Sequence, residues 1–174
     1  MARIGIIAML KGGDRRSIGR ADHAAGMVRG NRRLFPQLVS LFWSEDAVVR
    51  MRAVDAAEKV TREHPEWLAP YRKQLLGLLA GTERQELRWH LAVMVPRLNL
   101  SQKERQAASA ALYRYLEDRS SIVKAFALEG LADLAKTDTS IRIRVIETLQ
   151  KATRSGTPAM RARGRKLLGR LAAS

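Results

Sequence analysis

The chain has no cysteine, and that absence excludes disulfides, thiolate-bound metal and a cysteine nucleophile. Aromatic residues make up only 5% of its 174 residues, and proline occurs five times. Ala, Leu and Arg dominate instead, a composition that favours helices over sheets. The apolar run near the start, "IGIIAML" from Ile4 to Leu10, is too short to span a bilayer, and "KGGDRR" follows it in place of a small-residue cleavage site. A cytoplasmic location without stable membrane insertion is therefore expected. Acidic residues are scarce at both ends: residues 1–33 hold eight Lys or Arg against two Asp, and residues 142–174 hold nine against one Glu. The middle is nearly balanced, with fifteen against fourteen, so the net charge of +15 belongs to the ends. Charge placed this way attracts polyanions.

What fills the chain is a repeat. "VRMRAVDAAEKV" from Val49, "LRWHLAVMVPRL" from Leu87, "VKAFALEGLADL" from Val123 and "MRARGRKLLGRL" from Met160 align without gaps, at steps of 38, 36 and 37 residues. Relative to the basic residue they share (Arg50, Arg88, Lys124, Arg161), apolar or small residues recur at positions −1, +3, +6, +7 and +10. On a helix these positions fall within an arc of about 100°, the width of a core-facing stripe. The copies themselves carry start signals at Thr82/Gln85 and Thr157-Pro158, and another helix is expected ahead of each copy, at 35–43, 69–80, 102–116 and 141–154, with a capping box at Ser101/Glu104. A two-helix unit cannot bury its apolar face alone. The reading is therefore an all-α solenoid of about four two-helix repeats over 34–174, after a basic N-terminal extension, 1–33, with a short helix near 21–28. Val54, Ala92 and Leu128 add an apolar residue at +4, whereas Arg165 stands there in the last copy and makes it a polar cap.

These features resemble the HEAT repeat family. The resemblance covers about residues 34–171 and rests on the pairs Val49-Arg50, Leu87-Arg88, Val123-Lys124 and Met160-Arg161 at the head of each second helix. HEAT repeats usually carry an Asp six residues before that basic residue, where it supports a ladder between repeats. Asp118 matches; Ser44, Thr82 and Ser155 occupy the other three positions. The resemblance implies a structural role for the four shared basic residues.

The helix face at +1, +5 and +8 carries Asp55, Glu58 and Glu129 against one cation, Lys166, a mixed surface better suited to a protein segment than to a phosphate backbone. The adjoining edge at +2 and +9 holds Arg52, Lys59, His90, Arg97, Arg163 and Arg170, interrupted by Phe126 and Asp133. From these and the charged ends come the candidate nucleic-acid or anion contacts: Arg15, Arg16, Arg20, Arg32, Arg33, Arg52, Arg97, Arg163, Lys166 and Arg170. Trp89 with His90 is the candidate partner-binding pair. "KGGDRRSIGRAD" fails as a phosphate loop, because five residues separate Gly13 from Gly19 and no Lys follows. His23, His64 and His90 are dispersed, so no metal site is expected, nor a cofactor, a catalytic set or a small-molecule substrate. The expected function is a non-catalytic scaffold for a polyanion, nucleic acid ahead of an acidic protein surface. The alternatives are a protein adaptor that uses the groove around Trp89 and, from the resemblance, a DNA repair glycosylase; one turn beyond Trp89, where such an enzyme would place a carboxylate, this chain has Val93.

Overall fold

The computed structural model describes residues 5–11 and 20–173, and all regular structure among them is helical. The chain divides into two compact units, Met1–Pro70 and Tyr71–Ser174.

In the first unit α1 (Ile6–Leu10), α2 (Ala21–Gly30) and α3 (Phe35–Ser40) pack on α4 (Ala47–Thr61). Helix α2 lies inside the stretch read from sequence as an extension, yet its small face, Ala21, Ala24, Ala25 and Val28, is buried. Pro36 sits in the first turn of α3, where a missing N–H costs nothing. Helix α4 begins at Asp46, whose carboxylate accepts from the amides of Val48 and Val49 at 2.8 and 3.2 Å. Trp67 is buried against Phe35, edge to face at 5.5 Å, and stacked on His64 at 4.5 Å.

The second unit is three successive helical hairpins. Helices α5 (Arg72–Gly81) and α6 (Gln85–Met94) form the first, α7 (Gln102–Tyr115) and α8 (Ser121–Thr137) the second, α9 (Thr139–Ser155) and α10 (Pro158–Ala172) the third. Within each hairpin the two helices pack together, α6 packs on α8 and α8 on α10, and α5 packs on α7. Two of the expected starts form as the sequence implies. Ser101 and Glu104 make a reciprocal capping box, and the Thr157 hydroxyl accepts from the Met160 amide ahead of Pro158. The third does not: α6 starts at Gln85, and the Thr82 hydroxyl accepts from the Arg84 amide inside the turn.

The repeat stripe is the core. Every residue at −1, +3, +6, +7 and +10 in the four copies is buried except Met160 and Leu168, which are half-buried. At +4, Val54, Ala92 and Leu128 are buried and Arg165 is exposed. Gly130, at +6, shows how closely the hairpins approach, since a Cβ there would lie 2.1 Å from the carbonyl oxygen of Ala92 on α6. Across the first-helix layer, the Tyr115 hydroxyl donates to the Leu79 carbonyl at 2.6 Å, and burial pushes its pKa up to about 12.

Candidate anion-binding face of the C-terminal hairpin

The shared basic residue does two different things along the chain. In the first two copies it reaches back across its own hairpin turn: Arg50 Nη1 donates to the Ser44 carbonyl at 2.6 Å, and Arg88 Nε donates to the Thr82 carbonyl at 2.8 Å. Arg88 then spans to the next hairpin, where Nη1 meets the buried carboxylate of Asp118 at 2.5 Å. The other oxygen of Asp118 accepts from the Ser120 amide at 2.7 Å, so the carboxylate is fully engaged. In the last two copies neither contact is made: Lys124 and Arg161 have no acidic or carbonyl partner among the described residues, and Arg161 is exposed.

The expected phosphate-contacting edge at +2 and +9 is a seam between helices. Arg52 is 2% exposed, with Nη1 donating to the Leu10 carbonyl at 3.0 Å, so it is not at the surface. Lys59 joins Asp22 on α2 at 2.5 Å and Asp55 on its own helix at 2.8 Å. Arg163 pairs with Glu129 on α8 and lies over the Phe126 ring at 4.5 Å, while Arg170 binds Asp133 at 2.5 Å. His90 is buried and Arg97 half-buried, each with interactions of its own. Lys59, Arg163 and Arg170 on this edge are thus paired with acids of a neighbouring helix, two helices earlier in the chain.

The remaining expected residues are scattered. Arg15 and Arg16 lie outside the described residues. Arg20 and Arg33 are exposed, and Arg32 sits 5.6 Å over the Trp67 ring. Trp89 is half-buried, 5.6 Å from the His90 ring, and the face at +1, +5 and +8 around it is largely closed, with Val93, Ala125 and Ala132 buried. Only the last copy opens that face, where Ala162, Lys166 and Gly169 are exposed.

What the structure gathers is a different set of cations. Arg144, Lys151, Arg154, Arg161, Arg165 and Lys166 are all exposed on the α9–α10 hairpin, and none has an acidic partner among the described residues. Of these, the sequence reading took only Lys166 as a candidate anion contact. Beside them, a cleft of about 630 Å³ runs between the C-terminal end of α7, α8 and the α9–α10 turn. Lys124, Arg144 and Lys151 line it against a single carboxylate, Glu117. Arg144 lies 4.1 Å over the ring of Tyr113, which shares the same wall. The Tyr113 hydroxyl is buried, with no hydrogen-bond partner. Cations thus outnumber carboxylates along this wall, beside a buried hydroxyl without a protein acceptor.

Among the described residues, no group of His, Asp and Glu could hold a metal ion, and no helix is long and apolar enough to cross a membrane. No protein-family model matches the chain, and no curated protein matches it.

Proposed function

We propose that this protein is a HEAT-like α-solenoid that binds a polyanion, nucleic acid first, without catalysing a reaction on it. Three observations support the solenoid: the hairpins follow one another in register, the second helices pack in succession, and Arg88–Asp118 links one repeat to the next. The seam contacts of Lys59 on α4 with Asp22 on α2 and of Arg170 on α10 with Asp133 on α8 extend the same logic, each cation reaching back two helices along the chain. In this reading α2 serves as the layer ahead of α4. A cytoplasmic setting goes with this function.

The observation that carries the partner class is the set of six exposed, acid-free cations on the α9–α10 hairpin. Residues 142–174 contain one acid, the exposed Glu147, so the cations of this hairpin far outnumber its carboxylates. A phosphate backbone releases counterions on meeting such a surface, and binding then falls steeply with salt. Fluorescence anisotropy of labelled DNA and RNA across a salt series tests this. The expected result is tight binding at low salt, with Arg154, Arg161 and Arg165 together changed to Gln lowering the log–log slope by about 2 to 3. Neutralising Arg163 and Arg170, which are already paired, leaves the slope nearly unchanged. Failure of both nucleic acids to bind at low salt rejects the reading.

A further inference from the structure

The cleft beside that hairpin is a vacant rung of the ladder that joins the repeats. One repeat earlier, Arg88 is answered by Asp118, six residues ahead of the next shared basic position. The corresponding pair one repeat later is Lys124 and Ser155, and both line the cleft. Serine supplies no charge, and its hydroxyl is turned to its own helix, donating to the Lys151 carbonyl at 3.1 Å. The carboxylate that closed the previous rung is missing, and three cations line the cleft with Tyr113, whose buried hydroxyl has no partner.

We propose that this cleft is a phosphomonoester site, in which Lys124, Arg144, Lys151 and the Tyr113 hydroxyl hold a terminal dianionic phosphate. Three cations against Glu117 leave an excess of two positive charges, matched to a dianion and not to the single charge of an internal phosphodiester. A terminal phosphate also presents three acceptor oxygens, enough to engage the ammonium groups, the guanidinium and the phenol together. The cleft's volume falls in the range of ligand pockets, so it accommodates a nucleotide-sized end. The proposal rests on the polyanion reading only in taking a strand end as the source of the phosphate; a free phosphorylated small molecule carries the same chemistry.

The test uses the full chain with a short DNA strand bearing a 5′-phosphate, a 3′-phosphate or neither, and with adenosine monophosphate and inorganic phosphate by calorimetry. A terminally phosphorylated strand should bind about tenfold tighter than the unphosphorylated one. Tyr113→Phe and Ser155→Asp should each abolish that difference. The first removes the donor, and the second fills the rung with a carboxylate that pairs Lys124. Both variants should melt at or above the wild-type temperature, which separates loss of binding from loss of fold. Equal binding of all three strands without binding of either small phosphate overturns the proposal and leaves the polyanion function standing. An advantage for the phosphorylated strand that survives both substitutions also overturns it, since the phosphate is then held elsewhere. Tyr113-dependent binding of the small phosphates alone, with no strand bound, upholds the site and removes the nucleic-acid reading. Binding of no probe removes both.

Discussion

At the scale of single residues, the same type of side chain has opposite consequences depending on what stands opposite it. Arg88 is held by a carbonyl and by a carboxylate only 3% exposed, so Arg88→Ala strands a buried charge and should cost about 3 kcal/mol in urea unfolding. Arg88→Lys should recover little, because one ammonium cannot reproduce the two directed bonds of the guanidinium. Arg170→Ala breaks a pair whose members are about a third exposed, and its cost should stay near or below about 1 kcal/mol. Tyr113→Phe should raise stability in the absence of ligand, because a buried hydroxyl without a partner is a net penalty of about 1 kcal/mol or more. The candidate site was only faintly legible in the sequence for the same reason. Helical periodicity tells which side of a helix is apolar, but it does not tell whether the polar side meets water or the next helix's acids. Arg163 and Arg170 therefore read as surface cations when they are seam residues, and Lys124 and Arg161 read as structural residues when neither has an acidic or carbonyl partner among the described residues.

At the scale of the helices, legibility was high wherever the chemistry is local. The repeat stripe identified the buried face of α4, α6, α8 and α10, and the capping box at Ser101 and the Thr157-Pro158 start are where side-chain chemistry puts them. Thr82 misled because its hydroxyl has a nearer backbone partner in the turn, at Arg84. Helix α9 opens on Asp138, whose carboxylate accepts from the amide and hydroxyl of Ser140 and from Arg105 of α7. Those bonds, that of the Ser140 hydroxyl foremost, hold its carboxyl below the ordinary value of 3.8. A lowered folded value means the contribution is complete above pH 3.8 and is lost as the pH falls through that lowered value. Thermal melts should therefore be flat from neutrality to about pH 5 and fall below about pH 4, and Asp138→Ala should cost about 1 kcal/mol at neutral pH while flattening that fall. Gly130→Ala tests the packing of α8 on α6. The added carbon meets the Ala92 carbonyl, so the helices must separate, at about 1–3 kcal/mol by denaturant titration.

At the scale of the whole molecule, the second unit holds the three hairpins, their cross-links and the acid-free cations. A fragment starting at Tyr71 should fold alone, with helical circular dichroism and a cooperative melt, and should keep most of the salt-dependent affinity for nucleic acid. Loss of helicity in that fragment would show that the first unit is needed to complete its core. The side-chain bonds that tie one helix layer to the next share a further property: Arg88 to Asp118, Arg105 to Asp138, Tyr115 to Leu79, Arg163 to Glu129, Arg170 to Asp133, Lys59 to Asp22 and Arg52 to Leu10 join residues 30 to 42 apart. None of these bonds waits for a distant part of the chain. During synthesis, each later hairpin of the second unit finds the preceding one already formed and needs only its own length to close, so that unit can be completed in the order in which it is translated.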